Sequence, residues 1–189
     1  VTPAEGGTGH LADAQIPTAA PATGFDATTE AWSAQKPTTS VEIKGDTAFA
    51  VSWQKGAYGY TVNYHYDATV ETVTGTGTFQ EAIPYDTARK ATTAEGNFIY
   101  ERTVGEGKTV AADPTANVVD VYFTLDEKGT DPENPDAPDN VPDKYQATVT
   151  YTATNGTVSI GKAVVTLFAE DGVTPAEGGT GHLADAQIP

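Results

Sequence analysis

Apolar and polar residues alternate with a period of two over much of this chain. Tyr60, Val62, Tyr64 and Tyr66 fall on one face, against Thr61, Asn63 and His65 on the other. Tyr145, Ala147, Val149 and Tyr151 oppose Gln146, Thr148 and Thr150, and Phe49, Val51 and Trp53 oppose Ala48, Ala50 and Ser52. Successive side chains of a strand point to opposite faces, so each stretch predicts a half-buried β-strand. Residues 118–125 (VVDVYFTL) and 163–168 (AVVTLF) are apolar on both faces and predict central strands. Shorter strands are expected near 70–79 and 98–103. The 3.6-residue period of a helix is nearly absent. Residues 11–16 suit one or two turns before Pro17, and 85–91 a short helix capped by Asp86. Gly6-Gly7, Gly75-Thr76-Gly77 and Asn155-Gly156 are expected to be turns between strands, with Asn-Gly the strongest hairpin signal. The fold class is therefore mostly β.

One stretch breaks the pattern. Residues 126–143 (DEKGTDPENPDAPDNVPD) hold seven acids and four prolines. Such a segment builds no core and joins no central strand, so it reads as a stiff, extended linker. A shorter break falls at 54–59. These breaks leave residues 60–125 as one small module, flanked by 1–53 and 144–189.

The flanks are related. Residues 1–17 read VTPAEGGTGHLADAQIP, and so do residues 173–189. The chain is one period of a tandem array, with an offset of 172 between Val1 and Val173, plus the opening of the next period. On that reading 144–189 is the front part, and 1–53 the back part, of a second kind of module cut in two. Neither part alone covers its apolar face, and exposed strand edges seek partners. The expected completion is head to tail, between neighbouring repeats or identical chains, with one of the two identical copies redundant.

Stitched in array order, the divided module resembles the internalin-type B repeat of bacterial surface proteins. The residues that carry the resemblance are Val149 to Tyr151, Asn155-Gly156, Ile16-Pro17, Gly24-Phe25, Trp32 and Phe49 to Trp53. Residues 163–172 form an insertion relative to that pattern. Residues 60–125 resemble a mucin-binding-protein (MucBP) repeat through YTVNYHYD at 60–67, the spacing from Gly77 to Ile83, and NVVDVYF at 117–123. Both resemblances imply β-grasp-like modules in series within an extracellular, cell-wall-attached adhesin. The end of the acidic segment, 139–145, resembles the tail of calcium-binding Asp-rich repeats. It makes Asp136, Asp139, Asn140 and Asp143 candidate calcium ligands, although Ala137 and Pro135 stand where the full pattern has acids. A hard cation needs six to eight oxygens, against which the plain alternative is a solvated acidic linker.

Charge narrows the partners. Twenty-six acids against ten bases give a formal net charge of −16. Binding phosphate needs Lys and Arg, so neither nucleic acid nor an anionic membrane is an expected partner. With no cysteine there is no disulfide framework and no thiolate chemistry. No nucleophile elbow, zinc-helix or phosphate-loop motif is present, and no catalytic residue is assigned. His10, its copy His182, and His65 have no second ligand or carboxylate at a useful spacing and are expected in solvent. Lys44, Lys108 and Lys162 are candidate donors for a Lys–Asn isopeptide bond, against a plain surface role. Trp32, Trp53, Phe25, Phe49, Tyr64 and Tyr151 suit either a sugar-stacking groove or a core, and core is expected for the two tryptophans. The resulting expectation is a structural stalk repeat rather than an enzyme. The alternative is a repeat-borne module that grips a glycan or host protein through avidity.

Overall fold

The structure is a computed structural model that describes residues 6–189. The first five positions of the first repeat copy lie outside the described residues. Contacts divide the chain into two compact units. One gathers the chain up to Tyr60 with Gly75–Ile83 and Gly107–Asn117; the other gathers Thr61–Thr74, Pro84–Glu106 and Val118–Pro189.

The fold is mostly β, in several small sheets. Four two-residue strands, β1 (Gly9–His10), β2 (Ala31–Trp32), β3 (Glu42–Ile43) and β4 (Val51–Ser52), pair antiparallel as β1–β3 and β2–β4. Then β5 (Ala57–Tyr66), β6 (Thr69–Thr78), β7 (Phe98–Val104) and β8 (Val118–Leu125) form one sheet in the order β6–β5–β8–β7. Last, β9 (Gln146–Thr150) and β10 (Lys162–Thr166) make an antiparallel ribbon.

The first unit is thinly packed. No large apolar side chain among residues 6–53 is buried; Gly24 and Pro37 are. Trp32 and Trp53 are only half-buried, which corrects the expectation that both are core. Two-residue strands present too little apolar surface to enclose an indole. Packing is better where Phe79 meets Phe25 and Tyr58, with ring centroids 5.9 and 6.2 Å apart. There the Gly56 N–H donates to the Gly24 carbonyl and the Phe79 N–H to the Gly56 carbonyl, both at 2.8 Å. Asn117 is fully buried and fully engaged. Its Oδ1 accepts from the Ala111 N–H at 2.7 Å, and its Nδ2 donates to the Gly59 and Ala111 carbonyls at 2.9 Å.

The second unit holds the main core. β5 and β8 run parallel, in register from Thr61–Val118 to Tyr66–Phe123. The alternation read from the sequence places Val62, Tyr64 and Tyr66 of β5 beside Val119, Val121 and Phe123 of β8, all buried. Tyr66 stacks on Phe123 at 4.9 Å and meets Phe98 edge-on at 5.3 Å. The expected central strand at 118–125 is found with the same bounds, between β5 and β7. The expected strand at 163–168 is found as β10, ending at Thr166, and among the described residues its only strand partner is β9. Ala163, Val164 and Val165 are buried nonetheless.

Three further expectations give way to side-chain chemistry. Residues 85–91 form no helix. Asp86 accepts the Ala88 N–H at 2.8 Å, while its own N–H donates to the Tyr64 hydroxyl at 3.1 Å, which pins the segment as a turn. Gly75-Thr76-Gly77 is not a turn but lies inside β6, where the Tyr60 ring fills the space a side chain at 75 would need. Asn155-Gly156 sits within the long 151–161 connection of β9 and β10 rather than in a two-residue turn. The tight hairpin is β5–β6, turned by Asp67-Ala68 with Asp67 at φ 49°.

Candidate functional site

The two copies of the repeated segment sit in different surroundings. In each, a short 3-10 turn (Asp13–Gln15 and Asp185–Gln187) follows an extended alanine, and the glutamine side chain reaches back to that alanine's N–H. Gln15 Oε1 accepts from Ala12 at 2.8 Å and Gln187 Oε1 from Ala184 at 2.9 Å. Backbone angles agree closely, with φ/ψ of −79/156° at Ala12 and −77/157° at Ala184. Beyond the turn the copies diverge. Gln187 is 4% exposed, and its Nε2 donates to the Val164 carbonyl at 2.7 Å and the Thr130 carbonyl at 3.2 Å. The Tyr151 hydroxyl donates to the Gln187 carbonyl at 2.9 Å. Gln15 is exposed. The next residue reverses the pattern: Ile16 is partly covered, whereas Ile188 is 54% exposed.

Strand edges follow the same division. In the first copy, Gly9 and His10 form β1 and pair with Ile43 and Glu42 of β3. In the second, Thr180 exchanges backbone hydrogen bonds with Phe168 just beyond β10, at 2.9 and 3.0 Å, and Gly181 lies against the Thr166 carbonyl. Beside the first copy an open apolar pocket of about 280 Å³ remains, lined by Leu11, Gln15, Pro17, Pro37, Ile43 and Phe49.

The acidic segment is folded back on itself, not extended. Asp126, fully buried at the end of β8, accepts the N–H groups of Asp139 and Asn140 at 3.1 and 3.0 Å. Asp143 accepts those of Glu127 and Lys128 at 2.8 and 3.0 Å. The two ends of the segment are thereby tied to each other. Within it, the Ala137 carbonyl lies directly over Gly129, where only a glycine fits. Three of the candidate calcium ligands, Asp136, Asp139 and Asp143, accept from protein donors. Asp139 takes the Thr130 and Val141 N–H groups and the Gln146 amide, and Asp136 pairs with Lys162. Asn140 turns at φ 66° to offer its N–H to Asp126. Among the described residues no group of three or more acidic, histidine or cysteine side chains is gathered for a metal ion.

The outer face of the four-stranded sheet carries a polar and aromatic row. Thr72 donates to Asn63 Oδ1 at 2.9 Å, and Asn63 Nδ2 donates to Asp120 at 3.0 Å. His65 Nε2 lies 2.9 Å from the same Asp120 oxygen. The His65 ring stacks on Tyr122 at 4.3 Å, and the Arg102 guanidinium lies over that tyrosine at 4.1 Å. His65 therefore has the carboxylate partner that the sequence spacing did not reveal, because parallel pairing of β5 with β8 brings it across 55 residues. On the inner side of the same hairpin, Glu71 accepts from the Thr92 and Thr93 N–H groups, the latter at 2.8 Å, and pairs with Arg89 at 3.4 Å. Burial pushes its carboxyl up, but those amide and hydroxyl donors outweigh it and hold it at about 2. A bulge in β7 turns Glu101 toward Lys144, 2.6 Å away.

His10 and His182 are exposed, as expected. Lys44 pairs with Glu42 at 3.5 Å, and Lys162 with Asp136. Of the six aromatics weighed for a sugar groove, Tyr64 is core and the other five are partly covered. No protein-family model, no curated protein and no solved structure matches this chain.

Proposed function

We propose that the chain is a structural stalk repeat of a bacterial cell-surface adhesin or fibre. Small β-grasp-like modules in series would hold a distal binding domain away from the wall, with no catalytic role. The observation that carries this reading is the repeated segment, whose two copies make different contacts, the first with β3 and the second with β10 and Phe168. That is what successive periods of an array would show if each module were built across a period boundary. The parallel central pair in the order β6–β5–β8–β7 supports a β-grasp-like reading of residues 60–125, and the acidic surface supports repeats that stay soluble and apart. Among the described residues no helix is long and apolar enough to cross a membrane. The test is small-angle scattering of chains carrying one, two and three periods. The maximum dimension should grow linearly with period number; a compact particle at three periods would rule the stalk out.

A second reading has one observation in its favour. The Arg102–Tyr122–His65–Asp120 row offers a cation, an aromatic stack and a carboxylate on one open sheet face, chemistry that suits a weakly held glycan or host peptide. A glycan array probed with the chain and with Tyr122→Ala distinguishes the two readings. Binding lost in the variant favours the second.

A further inference from the structure

We propose that the open pocket beside the first repeat copy is a seat for the β9–β10 ribbon of a second copy of this chain, with Gln15 taking the place that Gln187 holds in that second copy. The inference deepens the repeat reading above. It rests on the duplicated segment and not on the stalk or the cell surface.

Residues 6–17 and 178–189 carry the same side chains, so a surface that binds one can bind the other. The structure displays what that surface is: the β10 edge, where the Val164 carbonyl receives Gln187 Nε2 and Phe168 exchanges hydrogen bonds with Thr180. The first copy is already shaped for it. Its turn has the angles of the second, and Gln15 Oε1 is fixed on the Ala12 N–H just as Gln187 Oε1 is on Ala184. A binding element that needs no reordering loses little conformational entropy on docking.

Exchange of one copy for the other conserves the contacts shared by both. What favours the incoming copy is what it brings with it. Ile43, Pro37 and Phe49 stand beside Leu11 and Pro17 in an apolar pocket, and Ile16 is partly covered where Ile188 is exposed. Docking places that pocket beside Val164, Val165 and Phe168, which the resident copy's Ala184, Ala186 and Gln187 now adjoin. One strand would then have β3 on one edge and β10 on the other. The contact joins two different surfaces, so it continues from copy to copy, head to tail.

The experiment is sedimentation of the full chain from about 1 μM to about 1 mM, a range that brackets ordinary weak self-association. The average mass should rise with concentration. Gln15→Ala alters an exposed residue and leaves the single chain folded, yet it should weaken association roughly tenfold, the loss of a buried hydrogen-bonding group. Gln187→Ala loosens the resident copy and should strengthen association. If that variant proves unfolded by circular dichroism, Gln15→Ala decides alone. A wild-type chain that stays monomeric throughout, or a Gln15→Ala chain that associates like wild type, overturns the proposal. A compact multi-period chain in scattering would instead sink the stalk and leave this contact standing.

Discussion

The two copies of one seventeen-residue sequence meet different fates. Residues 178–189 bury a glutamine against β10 and expose the isoleucine that follows; residues 6–17 expose the glutamine and partly cover the isoleucine. The local turn is the same in both. Sequence therefore sets the turn, and the neighbour sets which side of it is covered. The contrast extends to the surroundings. The second copy faces a ribbon with Ala163, Val164 and Val165 buried, while residues 6–53 bury no large apolar side chain. Burial of apolar surface is the main source of stability, so the region around the first copy is the weaker of the two.

The largest expected consequence is a split in unfolding. Both tryptophans lie in residues 6–53, so their fluorescence reports on that region alone. In a urea titration the fluorescence midpoint should precede the far-ultraviolet circular dichroism midpoint by about 1 M. Coincident midpoints would break the comparison. Next in size is the buried carboxylate that closes the acidic loop, which supplies the Thr130 carbonyl to Gln187. Asp126→Ala leaves two amide donors without their charged acceptor and should cost about 2–4 kcal/mol. Hydrogen exchange should then rise at 178–189 and stay unchanged at 6–17.

The same substitution made in each copy sharpens the contrast further. In dilute solution Gln187→Ala should destabilise by about 1–2 kcal/mol and Gln15→Ala by no more than about 0.5 kcal/mol, measured by urea unfolding. Equal losses would mean the two environments are equivalent in solution. The smallest effect is acid-linked and lies at the start of the second copy. The Thr174 hydroxyl and the N–H groups of Thr174 and Val173 hold the Asp171 carboxyl at about 2, below its ordinary 3.8. A depressed folded value means stability that is present above 3.8 and lost as the pH falls through about 2. The thermal midpoint should fall less steeply over that window in Asp171→Asn than in wild type.

Much of the strand content was legible. The both-faces-apolar run at 118–125 and the alternation at 60–66 fix the central pair, because burial on one or two faces leaves a local periodic trace. The polar row around Asp120 left no such trace. Its members come from all four strands of the sheet, two of them paired parallel, and no local spacing encodes a contact between residues 63 and 120. The acidic segment misled for a related reason. Proline and aspartate content argues against a core, but aspartates also accept backbone N–H groups, and Asp126, Asp139 and Asp143 fold the segment by doing so. Asn155-Gly156 favours a tight turn only where the flanking strands reach it, and β9 and β10 stop short.

The parallel pairing of β5 and β8 has a consequence under tension. A chain pulled at its ends loads β5 from its first residue and β8 from its last, in opposite directions along neighbouring strands. The ladder from Thr61–Val118 to Tyr66–Phe123 is then sheared as a block, with its rungs sharing the load, instead of being peeled open one rung after another. Rupture under load is governed by the height of the unfolding barrier rather than by equilibrium stability. In residues 60–125 the sheared ladder ends at the buried, stacked pair Tyr66 and Phe123, so a region of modest size would yield late when the chain is stretched.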